Sequence, residues 1–220
     1  MEKLSQPIED YLKAIYMLRE REGTASTSAI AAVLEVTPAS VTGMMKKLAE
    51  LKLVRHVPYQ GVELTRSGEK IALEMVRHHR LLELYLMEAL GYTWDEVHAE
   101  ADMLEHVISE EFEDRMAARL GYPTVDPHGH PIPAKDGTFT AIKERALLSM
   151  QAGESAHITH INDTHPEMLR YAARLGLTPA THLTVIEVEP FGGSLRVKIG
   201  KAEKSIGREL AAQIFVTDKG

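Results

Sequence analysis

The feature that most constrains the fold of this chain is a change in the period of its apolar residues at about residue 145. Before that point, apolar residues recur every three or four positions, as Ile8, Leu12 and Ile15 do, which is typical of amphipathic helices. After it, apolar and polar residues alternate in short runs such as HLTVIEVE and SLRVKIG, which is typical of half-buried strands. The sequence therefore predicts a helical first part and a small β domain after it.

The amino-acid composition limits the classes of protein to which this chain can belong. The 220 residues are 44% hydrophobic and 26% charged, which is normal for a globular protein. No apolar run approaches the roughly 20 residues of a membrane span, and the N-terminus has no apolar signal segment. We therefore expect a cytoplasmic protein without membrane association. The chain has no cysteine, which excludes disulfides and thiolate metal ligands.

Acidic residues and histidines are concentrated in the middle of the chain. Residues 69–135 carry 6 Lys and Arg against 14 Asp and Glu, with six of the 11 histidines, whereas residues 1–68 carry 9 against 8. The net charge of −7 argues against nonspecific nucleic-acid binding, but a local basic patch could still bind DNA.

Two short helices and a hairpin are predicted in the first third of the chain. The first helix begins at about Ser28 and is followed by a turn at Glu35–Val36. Thr37 is the expected N-cap of the second helix, and Pro38 would occupy its first position, where a helix tolerates proline. The runs LVRHV and VELTR then alternate around a turn at 59–61. This order predicts a winged helix-turn-helix.

In such a domain the second helix enters the major groove of double-stranded DNA, where small and polar side chains approach base edges and basic ones meet phosphates. Arg55 would be a further phosphate contact. The alternative is a helical hairpin with an ordinary solvated face. The predicted DNA-binding residues are Ser28, Thr37, Ala39, Ser40, Thr42, Gly43, Lys46, Lys47, Tyr59 and Gln60.

Two longer helices are predicted next, over 67–90 with Ser67 as the cap and over 93–120 without interruption. The Pro- and Gly-rich stretch 121–137 is predicted to be a loop. Four short strands and one helical insert at 165–176 then predict a small β-barrel of the SH3-like kind.

Titratable side chains line one face of the predicted second long helix, in the stretch HAEADMLEHVIS. Groups of this kind next to a core are costly unless they are paired or bind a metal. The preceding helix (67–90) and an N-terminal helix predicted over 7–21 offer more oxygen and nitrogen donors, as does the loop DPHGH. The residues on the two long helices are His98, Asp102, Glu105 and His106, with His79 and Glu83; the others are Asp10, Asp126, His128 and His130.

Oxygen and nitrogen ligands without sulfur suit Mn(II) or Fe(II), and zinc remains chemically able to bind. Each helical His–carboxylate pair taken alone is more often an ordinary surface pair. A metallohydrolase is another alternative, but the sequence has no HExxH motif, nucleophile elbow or phosphate loop, so we predict that the protein is not an enzyme. A third alternative is a DNA-binding regulator that responds to a small organic ligand.

The chain resembles the diphtheria toxin repressor family of metal-dependent transcriptional regulators, including its manganese-responsive branch. The resemblance covers nearly the whole chain: IEDYLKAIYML, the winged helix, VRHHRLLELYL, HAEADMLEHVIS, DPHGHPIP and the C-terminal barrel. It implies a homodimer with four segments per subunit. These are a winged-helix DNA-binding domain (1–68), a helical dimerisation and metal-binding domain (69–122), a linker (123–144) and an SH3-like domain similar to the iron-transport accessory fold (145–220).

The resemblance also implies two metal sites. The first would be formed by Asp10, Asp102, Glu105 and His106. The iron-responsive branch has Met and Cys at the positions of Asp10 and Asp102, and two aspartates favour a harder cation, so we expect Mn(II), with Fe(II) as the alternative. The second site would be formed by His79, Glu83 and His98, completed by Asp163 or His165, with Asp126 and His128 as further candidates because streptococcal manganese regulators have Cys-Pro-His there.

In this family, metal binding enables the dimer to bind DNA and usually to repress genes for metal uptake. We therefore expect a metal-dependent repressor in which the cation fixes the spacing of the two recognition helices.

Overall fold

The computed structural model describes residues 4–57, 61–139, 142–162 and 165–218. It confirms the predicted fold class, with helices in the first part of the chain and a β-sheet domain at the C-terminus. Three of the predicted site residues, Tyr59, Gln60 and Asp163, lie outside the described residues.

The chain forms two compact units. The first contains Met1–His78, Glu105–Ile108 and Pro133–Thr138, and the second contains His79–Leu104, Ser109–Ile132 and Phe139–Gly220. The division into four segments that the resemblance implies stays a prediction.

The first unit contains the predicted helix-turn-helix and its hairpin. Its elements are α1 (Gln6–Glu22), α2 (Thr27–Val33), α3 (Pro38–Glu50), β1 (Val54–Val57), β2 (Gly61–Leu64) and the start of α4 (Arg66–Leu90). Thr37 caps α3 as predicted, because its hydroxyl accepts a hydrogen bond from the backbone N–H of Ser40 at 3.2 Å. The two strands pair antiparallel, with Val54 opposite Leu64.

One apolar core joins α1 to the helix-turn-helix and its hairpin. Leu12 and Ile15 of α1, Ile30 of α2, Val41 of α3 and Val62 of β2 all belong to this core and are almost fully buried. The wing also contacts the segment before α2, since the N–H of Val62 donates to the carbonyl of Ala25 at 3.2 Å. A movement of α1 would therefore disturb the packing that positions α3.

Two predictions for the long helices are wrong. The cap of α4 is Thr65 rather than Ser67, because the hydroxyl of Thr65 accepts the N–H of Gly68 at 3.2 Å. The predicted single helix over 93–120 is two helices, α5 (Val97–Leu104) and α6 (Glu110–Arg119), separated by a non-helical segment. Ser109 caps α6 by accepting the N–H of Phe112 at 3.2 Å, and the Phe112 side chain is exposed.

The C-terminal part of the second unit contains a six-stranded antiparallel sheet and two helices. The elements are β3 (Arg145–Ala146), β4 (Ser155–Ile161), α7 (Pro166–Leu175), β5 (His182–Val188), β6 (Leu195–Ile199), β7 (Ala202–Ile206), α8 (Arg208–Ala212) and β8 (Ile214–Thr217). The order of the strands in the sheet is β3-β8-β4-β5-β6-β7. A short 3₁₀ turn, Leu147–Ser149, follows β3. The helix α7 is the predicted insert, whereas the short helix α8, which precedes the last strand, was not predicted.

In the part of the chain that the structure describes, no single helix is long and apolar enough to cross a membrane. The pair Thr27–Val33 and Pro38–Glu50, bent by 107°, passes the same test by length and composition alone.

Candidate metal centres

The first candidate centre joins α1 to the non-helical segment between α5 and α6. The Nε2 atom of His106 lies 2.9 Å from Oδ1 of Asp10 and 3.5 Å from Oε1 of Glu105. One donor atom from each of these three residues lies within 4.8 Å of the others. Glu105 and His106 are buried, whereas the Asp10 side chain is 35% exposed. The helix break explains this arrangement, since α5 ends at Leu104 and leaves both following residues in the segment that contacts α1.

Two further residues of α1 reach this centre, and sequence reasoning missed both. Oε2 of Glu9 lies 2.8 Å from Nδ1 of His106, so the imidazole lies between two carboxylates. The ammonium of Lys13 lies 2.9 and 2.7 Å from the two carboxylate oxygens of Glu105. Burial raises the pKa of Asp10, as does the charge of Glu105, whereas His106 and Lys13 act to lower it; the net shift is upward.

The second candidate centre lies on α4 and α5. Nε2 of His79 is 3.0 Å from Oε1 of Glu83 and 3.0 Å from Nδ1 of His98, and the latter two atoms are 3.2 Å apart. Ligands about 2.1 Å from one metal ion and at right angles to each other would be about 3.0 Å apart. The three donor atoms therefore already have the mutual spacing of ligands around one cation.

The carboxylate of Glu83 supplies a second argument for a cation. Glu83 is fully buried, and its Oε2 atom accepts no hydrogen bond from any residue that the structure describes. Burial acts to raise the pKa of Glu83, but the charge of His79 and the neighbouring imidazoles outweigh it and hold this pKa well below its ordinary value. A buried ionised oxygen without a hydrogen bond is costly, and a cation would satisfy it.

His128 faces that oxygen. Its Nδ1 atom lies 3.6 Å from Oε2 of Glu83, and its Nε2 atom lies 2.6 Å from the backbone carbonyl of Trp94. A carbonyl only accepts, so Nε2 carries a proton, and Nδ1 is the ring nitrogen that faces the carboxylate. Metal-binding histidines are commonly oriented by a second hydrogen bond of this kind. His128 thus fits the second centre as a fourth donor.

Asp126 shapes the loop that carries His128. Its Oδ1 atom accepts the backbone N–H groups of His128 and His130 at 2.8 and 2.9 Å. Its Oδ2 atom lies 3.3 Å from Nδ1 of His130 and 3.7 Å from Nε of Arg80. These three residues of the loop also form a group of buried donors, Asp126, His128 and His130.

Two predicted ligands lie elsewhere. The carboxylate of Asp102 is half exposed and lies 3.2 Å from Nδ1 of His79 and 3.6 Å from Nε2 of His98, which makes it a neighbour of the second centre. His165 is exposed at the N-cap of α7, and the donor groups found among the described residues do not include it. The roles of Asp102 and His165 as ligands stay predictions.

The donor groups of both centres supply oxygen and nitrogen atoms. The donor sets contain carboxylates and imidazoles, which bind Mn(II) and Fe(II) as well as zinc. The residues of this structure therefore fit a divalent transition-metal ion.

The predicted DNA-facing surface is exposed. Val41 and Leu48 of α3 are fully buried in the core, and the opposite face of the helix is open to solvent. Arg55 forms an ion pair on the wing, with two of its nitrogens 2.9 and 2.7 Å from Oε2 of Glu63. The described residues of the predicted contact set that are exposed are Ser28, Thr37, Ala39, Ser40, Thr42, Gly43, Lys46 and Lys47.

Comparisons with known proteins identify the family. Residues 3–62 match the iron dependent repressor N-terminal DNA binding domain, and residues 65–134 match the iron dependent repressor metal binding and dimerisation domain. The chain belongs to the iron-dependent repressor family. Residues 145–218 of this repressor match the FeoA domain, which confirms the predicted C-terminal fold. It is a metal-dependent, DNA-binding transcriptional repressor and not an enzyme, as the sequence predicted.

Relatives of the repressor include proteins named for iron and for manganese. The iron-dependent repressor IdeR of Mycobacterium tuberculosis is 30% identical over 228 residues, which cover 98% of this chain and 99% of that protein. The regulator MntR of Shouchella clausii is 39% identical over 115 residues, 52% of this chain and 80% of that protein. A solved structure described as a manganese-dependent transcriptional repressor in complex with manganese has a TM-score of 0.89 at 39% identity, over 96% of this chain and 99% of that one.

Proposed function

We propose that this repressor is activated by Mn(II), binds operator DNA as a cytoplasmic homodimer and represses genes for metal uptake. The observation that carries the proposal is the group of donor atoms from Asp10, Glu105 and His106, which lie together on α1 and the segment after α5. Since α1 shares one core with the helix-turn-helix, a cation held there acts on the elements that bind DNA.

The choice of manganese follows from the donor chemistry. Asp10 and Asp102 have carboxylate side chains. The iron-responsive branch of the family that this chain resembles has the sulfur-containing residues Met and Cys at these two positions, and this chain contains no cysteine. Carboxylate oxygens favour hard cations such as Mn(II) more than softer ions. The manganese-bound relative supports the same choice, whereas the resemblance to IdeR keeps Fe(II) as the alternative.

Asp10 is the residue through which the cation would act on α1. The cation would be held by Asp10, Glu105 and His106, and its positive charge offsets the repulsion between the two carboxylates. Asp10 would then fix α1 against the segment that contains Glu105 and His106. Because Leu12 and Ile15 of the same helix pack in the core with Val41 of α3, this constraint extends to the recognition helix.

The coupling must satisfy a thermodynamic condition. A cation changes DNA affinity only if it binds the DNA-competent geometry more tightly than the alternatives. The half-sites of an operator are separated by a fixed helical spacing, so a dimer with fixed recognition helices binds it better than a loosely joined one.

The proposal is tested by fluorescence anisotropy of the full-length protein on labelled DNA from upstream of manganese and iron transporter genes of the host. Mn(II), anaerobic Fe(II) and Zn(II) are titrated separately, with a chelator and scrambled DNA as controls. We expect specific binding that appears with Mn(II) and is reversed by the chelator. Tight, specific binding that ignores both metal and chelator would overturn the proposal, and stronger activation by Fe(II) would favour the iron-responsive alternative.

The Asp10→Ala variant tests the role of α1. We expect it to keep the fold and to lose the metal-stimulated part of DNA binding. Glu20→Ala removes an exposed carboxylate from the same helix and serves as the matched control. Metal stimulation that persists unchanged in Asp10→Ala would reject the part that Asp10 plays.

A further inference from the structure

Lys13 and Glu105 form an ion pair at the first candidate centre. The Lys13 ammonium lies 2.9 Å from Oε1 and 2.7 Å from Oε2 of Glu105, so it contacts both oxygens of the carboxylate. The Glu105 side chain is 2% exposed and that of Lys13 is 17% exposed. An ion pair so shielded from water is weakened by solvent far less than a surface pair.

The same carboxylate is a predicted metal ligand. Its Oε1 atom is the one that lies 3.5 Å from Nε2 of His106. A metal bound to Oε1 at about 2.1 Å would be no more than about 5 Å from the Lys13 ammonium, which is 2.9 Å from that oxygen. A divalent cation and an ammonium at this distance repel each other strongly where little water separates them.

Lys13 also lies near Asp10, the second carboxylate of the centre. The two residues are three positions apart on α1, a spacing that places side chains on the same face of a helix. One lysine thus neutralises part of the negative charge that would otherwise attract a metal ion.

We infer that Lys13 is a built-in competitor of the metal: its ammonium is the counter-ion of Glu105 in the metal-free protein, is displaced when a divalent cation binds, and so sets the metal concentration at which the repressor responds. This inference rests on the proposed function, because it assigns Asp10, Glu105 and His106 as ligands of one cation.

Thermodynamic linkage gives two consequences. An interaction that exists only in the metal-free state stabilises that state and opposes metal binding. Removing the ammonium must then destabilise the metal-free protein and tighten metal binding. An ion pair that persists in the loaded protein without repelling the metal would not produce this combination, because its loss would not favour the loaded state.

The test replaces Lys13 by Met, which keeps the length of the side chain and removes its charge, and by Gln as a second neutral variant. Free Mn(II) is measured by electron paramagnetic resonance during titration of the full-length protein at a fixed pH. The binding that disappears in Asp10→Ala is assigned to the first centre. Thermal unfolding of the metal-free variants is measured in parallel.

We expect Lys13→Met and Lys13→Gln to bind Mn(II) at the first centre about tenfold more tightly, the factor that corresponds to about 1.4 kcal/mol, and to unfold at lower temperature without metal. Lys13→Arg keeps the charge and should stay near the wild-type affinity. Lys70→Met removes an exposed lysine of the first unit and should change nothing. Unchanged or weaker binding in both neutral variants, or equal tightening in Lys70→Met, would overturn the inference.

The wild-type protein separates this inference from the proposed function. If the wild-type protein shows no Mn(II) binding that the Asp10→Ala substitution removes, the proposed function fails. If that binding exists and the loss of the Lys13 charge does not tighten it, the inference about Lys13 fails alone.

Discussion

His128 is held by Trp94 in two ways. Its Nε2 atom donates to the backbone carbonyl of Trp94 at 2.6 Å, and its ring stacks on the indole with centroids 5.7 Å apart and planes inclined by 30°. Trp94 also packs against the apolar core of the C-terminal sheet. The histidine that faces Glu83 is therefore fixed by the single tryptophan of the chain.

The first prediction uses this contact as a reporter. A cation at Nδ1 of His128 would place positive charge on the ring that stacks on the indole, so we expect Trp94 fluorescence to fall in a saturable way during a Mn(II) titration. The variant His128→Gln keeps an N–H donor for the Trp94 carbonyl but has no ring nitrogen, and it should lose this response.

Asp10→Ala is the control for that titration, because it removes a ligand of the first centre and should keep the fluorescence response. A response that is lost in Asp10→Ala and kept in His128→Gln would contradict the assignment of His128 to the second centre.

Much of the fold could be predicted because the sequence signals were local. The cap at Thr37, the proline after it and the alternation of the wing residues all report backbone geometry within a few residues. The break between α5 and α6 was missed because the apolar spacing of Leu104, Ile108 and Phe112 continues through it. The signal that could have located it was Ser109, a cap residue followed by acidic residues in the first turn of α6.

The structure brings most of the predicted donors together, but it adds neighbours that the sequence analysis did not include. Lys13 is three positions after Asp10 on the same helix face, so its proximity could have been predicted. Glu9 could not, because adjacent residues of a helix point in different directions; it takes part only because the two nitrogens of His106 reach both Glu9 and Asp10. Such a contact depends on the position of a residue far away in the chain.

The second prediction concerns pH. His160 of β4 stacks on Phe215 with ring centroids 4.3 Å apart, and its Nδ1 atom lies 3.1 Å from Oε2 of Glu144. Burial lowers the pKa of His160 below its ordinary value of 6.5, an effect that the nearby charge of His130 increases and that Glu144 and Asp126 oppose.

Between the lowered folded-state pKa and 6.5, the unfolded chain binds more protons at His160 than the folded chain does. The contribution of His160 to stability is therefore present above pH 6.5 and is lost as the pH falls through the folded-state value. We expect the urea concentration at the midpoint of unfolding, followed by Trp94 fluorescence, to decrease as the pH is lowered through this window. The decrease should be smaller in His160→Gln, whose side chain cannot be protonated. The same slope in both proteins would assign the effect to another group.

The pKa of Glu144 provides an internal check on that window. Burial acts to raise it, but hydrogen bonds from His160 and Thr159 outweigh burial and keep the pKa below 4.5. Acid lability caused by Glu144 begins below 4.5, so it is separated from that of His160 on the pH axis.

The third prediction concerns Lys52, which follows α3 with a φ of +59°. The N–H of Lys52 bonds to the carbonyl of Ala49 at 2.9 Å and that of Leu53 to the carbonyl of Leu48 at 2.9 Å, which is the helix ending that favours glycine. Left-handed backbone costs a residue with a Cβ about 1–2 kcal/mol, part of which the greater freedom of glycine in the unfolded chain cancels.

We therefore expect Lys52→Gly to raise the free energy of unfolding by about 0.5–1 kcal/mol in urea titrations. Lys52→Ala removes the same charge but keeps the Cβ, so it should give no increase. An equal gain in both variants would assign the effect to the lost charge instead of the backbone.

The last prediction concerns Gly43, which lies exposed on α3; apart from its chain neighbours and the backbone of its own helix, nothing lies within 4 Å of the position that a Cβ would take. A glycine inside a helix costs about 1 kcal/mol relative to alanine, so Gly43→Ala should stabilise the metal-loaded protein by about that amount. The same methyl group would project from the face predicted to approach base edges. We expect affinity for operator DNA to fall by about tenfold, or about 1.4 kcal/mol.

Stability and DNA binding would thus change in opposite directions in Gly43→Ala. Stability is measured by thermal unfolding, and DNA binding by anisotropy with saturating Mn(II). Lys52→Gly separates the two effects, because it stabilises the C-terminal end of α3 without adding atoms to the face of the helix predicted to approach DNA. Full DNA affinity in Gly43→Ala would show that this face of α3 does not approach the bases at residue 43.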